Sequence, residues 1–154
     1  MINCKRLRHM AIVVDDIENI IDFYTKILGF KLRDRYKVES EDIRKGMGLP
    51  EAKAKGAHLI IPNSDVELEL FEFGNNISKK PEEYLASHLG YRHMSILVEN
   101  LKEIYDELQR KGVSFISAPV LVRDPACFKG FKFIYMKDPE GNIIELTELP
   151  EGHS

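Results

Sequence analysis

The chain has no tryptophan and only two cysteines in 154 residues. Those two, Cys4 and Cys127, lie far apart and form no Cys-x-x-Cys pair, so both read as reduced thiols rather than as a disulfide framework or a thiolate zinc site. Long apolar runs are missing as well. No stretch approaches the ~20 residues that a membrane span needs. The basic N-terminus "MINCKRLRHM" has no apolar segment behind it of the kind a secretory leader carries. Charge of one sign is also lacking: 22 Lys and Arg stand against 25 Asp and Glu, a net charge of −3. That balance leaves no basic footprint for nucleic acid or for an anionic membrane. The expectation is a cytoplasmic globular protein without nucleic-acid or membrane partners.

What the chain does have is an internal repeat. "LRHMAIVV" covers Leu7 to Val14, and "YRHMSILV" covers Tyr91 to Val98. Placing His9 on His93 gives an offset of 93 − 9 = 84, and the match runs on without a gap. Asp15-Asp16 meets Glu99-Asn100, Ile20 meets Ile104 and Asp22 meets Asp106. Each copy reads as a strand, an acidic or amide turn and a helix. In the first helix Ile17, Ile20, Ile21, Tyr24, Ile27 and Leu28 recur at helical spacing, with Asp15 or Asp16 as cap and Gly29 as stop. In the second, Leu101, Ile104, Tyr105 and Leu108 do the same, and Gly112 is the stop.

A second echo follows. "ELFEF" (Glu69 to Phe73) and "ELTEL" (Glu145 to Leu149) both read Glu-Leu-x-Glu near the end of a β-rich run. Here the offset is 145 − 69 = 76, so the first copy carries about eight extra residues before its glutamate. The polar stretch "ESEDIRKGMGLPEAKAKG" (39–56) is the expected place for them, either as a substrate lid or as a solvated excursion. One domain over 1–154 is expected, with a first module at about 5–75, a linker at about 76–88 and a second module at about 89–150. The joining stretch "NNISKKPEEYLASHLG" is expected to hold a short helix. His58 belongs to no repeated feature.

Strand alternation sorts the faces. His9, Ala11 and Val13 share one face and Met10, Ile12 and Val14 the other. His93, Ser95 and Leu97 oppose Met94, Ile96 and Val98. Each histidine thus has a small neighbour beside it. Glu69 and Glu145 alternate against aliphatic faces. If the non-helix faces form one concave surface, two imidazoles and two carboxylates converge there. Unpaired carboxylates are costly to bury, and a divalent cation neutralises both. His9, Glu69, His93 and Glu145 are therefore the candidate metal ligands. Imidazole and carboxylate without thiolate suit Ni, Co, Zn, Mn or Fe(II).

These segments resemble the vicinal oxygen chelate superfamily, which includes glyoxalase I, methylmalonyl-CoA epimerase, fosfomycin- and bleomycin-resistance proteins and extradiol dioxygenases. The carriers are "RHMAIVVDDIENIIDFYTKILGFKL", "VELELFEFG", "GYRHMSILVENL" and "MKDPEGNIIELTE". The resemblance implies an α+β fold in which paired βαβββ modules form an open, eight-stranded, barrel-like sheet around a metal. Its four ligand positions fall on His9, Glu69, His93 and Glu145. A glutamate at the second position is similar to bacterial-type glyoxalase I. Glutathione-dependent relatives carry Arg four residues after the first ligand and Asn four after the second, where this chain has Val13 and Phe73. Both departures weaken the case for glutathione as a thiol cofactor. Members are often homodimers, and a homodimer is expected.

The expected chemistry is a metal-dependent lyase or isomerase reaction on a small carbonyl, hydroxy-acid or thioester substrate, through an enediolate-like intermediate. Glu145 and Glu69 are the candidate catalytic carboxylates, with Glu67 a weaker one. The alternatives are an epimerase of the methylmalonyl-CoA type, an Fe(II) extradiol dioxygenase using His9, His93 and Glu145, and a non-catalytic small-molecule binding protein. Arg33, Arg35, Arg123 and Lys129 are candidate anchors for an anionic substrate, each against a plain surface role.

Overall fold

The computed structural model describes residues 4–74 and 82–152. The chain divides into two compact units, Met1–Lys80 and Pro81–Ser154. The first runs β1 (His9–Val13), α1 (Ile17–Lys26), β2 (Lys31–Val38), α2 (Glu41–Gly46), β3 (Ala54–Ile60) and β4 (Glu67–Phe73). The second runs β5 (His93–Leu97), α3 (Leu101–Arg110), β6 (Ser114–Phe115), β7 (Val120–Leu121), a 3-10 turn (Ala126–Phe128), β8 (Lys132–Lys137) and β9 (Ile143–Glu148). Each unit is a βαβββ module of an α+β fold. The two-residue strand β7 is an addition to the eight strands expected.

In the first unit the sheet order is β1-β4-β3-β2, with β1 parallel to β4 and the other pairs antiparallel. The helix face is built by period. Ile17, Ile20, Ile21 and Tyr24 of α1 are buried, as are Leu68 and Leu70 of β4 and Ala57 and Leu59 of β3. Burying each large apolar side chain contributes ~1.5–3 kcal/mol, so Ile20→Ala, at a site with no solvent exposure, would cost ~2–5 kcal/mol. Asp16 caps α1, its Oδ1 accepting the Asn19 N–H at 3.1 Å. The chain leaves the helix at Gly29, whose φ of +72° suits a residue without a Cβ.

A further cap comes from far along the chain. A carboxylate oxygen of Glu72 accepts the Ile17 N–H at 3.1 Å, and Lys55 holds the other oxygen at 2.6 Å. The second unit repeats the device. Its sheet runs β5-β9-β8-β6, with β7 also on β8, and Glu148 accepts the Leu101 N–H at 2.7 Å while pairing with Lys132. The second glutamate of each Glu-Leu-x-Glu motif is thus the acidic cap of its module's helix. The helix N-terminus supplies orphan N–H groups and a partial positive charge for it.

The expected extra segment of the first module is where the sequence places it. Within 39–56, Glu41–Gly46 form the short helix α2, none of whose residues is buried, and residues 54–56 already belong to β3. The expected linker helix is not found in residues 82–90, which form turns and bends; residues 75–81 of that stretch lie outside the described residues.

Candidate functional site

The face opposite α1 carries the candidate residues of the first unit. Pairing of β1 with β4 sets His9 against Glu67 and Ala11 against Glu69, so His9 and Glu69 are diagonal neighbours on one face. His9 Nε2 lies 3.1 Å from Glu69 Oε2. Ala11 beside the histidine adds no bulk, which leaves the ring room to reach the carboxylate. In the second unit β5 sets His93 against Ile143 and Ser95 against Glu145. His93 Nε2 lies 3.0 Å from Glu145 Oε2. The structure therefore joins His9 to Glu69 and His93 to Glu145, one pair per unit, in matching geometry. Among the described residues, no group of three or more His, Cys, Asp and Glu side chains forms a cation cage.

Both separations suit a hydrogen bond between imidazole and carboxylate. They also suit shared ligation. Donors that share one cation, each ~2.0–2.2 Å from it, stand about this far apart. The donor chemistry of the pairs, imidazole nitrogen with carboxylate oxygen, fits a borderline divalent ion.

Around Glu69 the first unit builds more than the sequence suggests. Glu69 is buried, with 8% exposure. Its Oε1 receives the Tyr36 hydroxyl hydrogen bond and lies 3.2 Å from His58 Nε2. His58 Nδ1 in turn lies 2.7 Å from Asp34 Oδ1. The register explains the assembly: β3 sets His58 against Glu69, and β2 sets Asp34 against His58 and Tyr36 against Gly56. A Cβ on Gly56 would fall 2.2 Å from the Tyr36 ring. The missing side chain is what lets that ring lie across β3 and reach the glutamate.

Burial, then the Glu69 carboxylate, pushes the Tyr36 hydroxyl well above the ordinary phenol range, so it stays a donor at neutral pH. The hydrogen bond from His58, then that from Arg33, holds the Asp34 carboxyl below the usual range. In the second unit, Tyr135 stands opposite Glu145. Burial and then Glu145 raise its hydroxyl. Glu145 Oε1 accepts the Thr147 hydroxyl at 3.0 Å.

His58, Asp34, Tyr36 and Gly56 are the residues that sequence reasoning missed. No repeat flags His58, because the same register position in the second unit is Tyr135 (135 − 58 = 77). The available signal was alternation in "AKGAHLI", which puts Gly56 and His58 on one strand face. The expected anion anchors behave differently. Arg33 is bound to Glu67 and to Asp34, and Arg35 to Glu18 at 2.7 Å, so both are committed to carboxylates. Glu67, the weaker base candidate, is tied up by Arg33. Val13 is 47% exposed on the His9 face, and Phe73 stacks on Phe71 at 5.8 Å.

Comparison with known proteins agrees with this architecture. The model of the Glyoxalase/Bleomycin resistance protein/Dioxygenase superfamily matches residues 6–146. A lactoylglutathione lyase of Escherichia coli O157:H7 is 26% identical over 150 residues, covering 93% of this chain and 92% of that protein. The human mitochondrial methylmalonyl-CoA epimerase is 28% identical over 148 residues, covering 95% of this chain and 75% of its own. A crystal structure of a glyoxalase family protein from Bacillus cereus superposes with a TM-score of 0.80 at 24% identity, over 96% of this chain and 97% of that one. The repeated βαβββ units, the paired His–Glu positions and the match over most of the sequence lead to one conclusion: the chain belongs to the glyoxalase/bleomycin resistance/dioxygenase superfamily, the vicinal oxygen chelate proteins.

Proposed function

We propose that this protein is a divalent-metal-dependent lyase or isomerase of the glyoxalase I type, moving a proton at a carbon beside a carbonyl. The observation that carries the reading is the recurrence of one His–Glu pair on matched strands, with Nε2-to-oxygen separations of 3.1 Å and 3.0 Å. His9, Glu69, His93 and Glu145 would hold the cation. When bound, it supplies positive charge against the negative charge that builds on a substrate oxygen as the neighbouring carbon loses its proton.

The protein's own residues do the rest. Glu145 is the proton-transferring carboxylate, and Glu69, the other candidate, acts chiefly as a ligand. Such a carboxylate needs to approach the substrate proton within hydrogen-bond reach, ~2.6–3.2 Å between heavy atoms. Ala11 and Ser95 are the small cross-strand partners of Glu69 and Glu145. Thr147 donates to Glu145 Oε1 and orients it. The substrate class is a small carbonyl, hydroxy-acid or thioester compound. Val13 and Phe73 offer neither charge nor amide, which argues against glutathione as the thiol partner.

The test is proton exchange in D2O, followed by NMR on a panel of 2-oxoaldehyde–thiol adducts, 2-hydroxy acids and acyl thioesters. The metal-loaded protein should exchange the C–H proton of at least one class, and Glu145→Gln should nearly abolish that exchange. Full exchange by the Glu145→Gln protein, or none by the wild type on any class, would sink the reading.

A further inference from the structure

Glu69 and Glu145 are related by the repeat, yet they are not held alike. Glu145 has the hydroxyl of Thr147, two residues along its own strand, on Oε1. Glu69 has a three-strand cradle. Tyr36 of β2 and His58 of β3 both meet Oε1, while Oε2 faces His9. His58 is only 12% exposed along its side chain and stands between two carboxylates, Asp34 Oδ1 2.7 Å from Nδ1 and Glu69 Oε1 3.2 Å from Nε2, and it donates to both when each ring nitrogen carries a proton. The Tyr36 ring stacks on the imidazole, centroids 5.1 Å apart and planes 30° from parallel. Gly56 makes this possible by leaving the strand surface bare beneath the tyrosine.

We propose that His58, anchored by Asp34, is a positioning residue that fixes one oxygen of Glu69 and so presents the other, beside His9, to the divalent cation. The inference rests on the metal-site reading above. A glutamate ligand ordinarily gives up side-chain freedom when it ligates. Here that freedom is already lost, and the free oxygen already stands at ligating separation from its imidazole neighbour. Outer groups of this kind orient the ligands they touch, and their removal typically weakens metal binding by ~10–100-fold. Tyr135 takes the corresponding place in the second module, so among the described residues no imidazole stands there behind Glu145. The first His–Glu pair is therefore the preorganised half of the site.

The experiment titrates the metal-freed full-length protein with Co(II) in competition with a chromophoric chelator. His58→Leu should weaken binding by ~10–100-fold, while its folded-state circular dichroism stays that of the wild type. His58→Gln, which keeps an amide N–H near the place of Nε2, should recover most of the loss. Asp34→Ala should weaken binding in the same direction, and it serves as the second variant if His58→Leu does not fold. Wild-type affinity in His58→Leu or in Asp34→Ala overturns the inference, as does a His58→Gln protein as weak as His58→Leu. Those outcomes leave the metal-site reading standing. Binding that His9→Ala leaves untouched would instead overturn the metal-site reading, and this inference with it.

Discussion

The Glu72 carboxylate accepts the backbone N–H of Ile17 at 3.1 Å, so a residue at the end of β4 caps a helix that begins 55 positions earlier. Losing such a cap typically costs ~0.5–2 kcal/mol. Glu72→Ala should lower the urea midpoint of unfolding accordingly, and Glu72→Gln, which keeps an acceptor, should lower it less. An unchanged midpoint in Glu72→Ala would mean that Asp16 alone secures the helix start.

Glu148 plays the same part for Leu101 and should make its contribution depend on pH. The hydrogen bond from Lys132, then that from the Leu101 N–H, holds its carboxyl below the ordinary glutamate range. A group whose folded pKa is depressed contributes stability above its unfolded value, ~4.3 for glutamate. That contribution is lost as pH falls through the folded value. The stability difference between wild type and Glu148→Gln should therefore be largest near neutrality and shrink below pH ~4. Chemical denaturation across a pH series measures it. A difference that grows on acidification has the wrong sign for this account.

Gly56 is constrained by space, because a Cβ there would fall 2.2 Å from one atom of the Tyr36 ring and 2.4 Å from another. Overpacking of this kind costs ~1–3 kcal/mol. Gly56→Ala should destabilise the protein by that order, and adding Tyr36→Ala should relieve part of it, because residues in contact couple. Additive losses in the double mutant would show that the ring is not what the methyl group meets.

Arg8 bears on His9 in the opposite sense to His58 on Glu69. Its guanidinium lies 3.2 Å from His9 Nδ1, and a guanidinium only donates. In that contact Nδ1 accepts, so a neutral His9 carries its ring hydrogen on Nε2, 3.1 Å from Glu69 Oε2. Ligation through Nε2 needs the other tautomer. Arg8→Ala should accordingly leave divalent-metal affinity unchanged or tighter. A clear weakening in the same Co(II) competition would contradict this.

The repeat made much of this legible in advance. His9 with His93 and Glu69 with Glu145 recur at matching strand positions, and a repeated strand in the same register carries its side-chain faces with it. The helices were legible from period, and the first cap was legible as Asp15 or Asp16, of which the structure uses Asp16. The cradle of Glu69 was not legible, because it depends on register across three strands. Nothing local in "KLRDRYKV" says that Asp34 will stand opposite His58, or that Tyr36 will lie over Gly56. A bulge between Leu32 and Asp34 shifts the pairing. The capping glutamates were visible as letters, since both motifs read Glu-Leu-x-Glu. Their role was hidden because the partner N–H groups lie 55 and 47 residues upstream.

The central claim is that His9, Glu69, His93 and Glu145 together hold one divalent cation. The most direct measurement is the stoichiometry and affinity of Co(II) binding by the metal-freed protein, by calorimetry, with His9→Ala and His93→Ala alongside. The account predicts one ion per chain, with binding severely weakened by either substitution although the two histidines come from different modules. An ion count and affinity that neither substitution changes would contradict it.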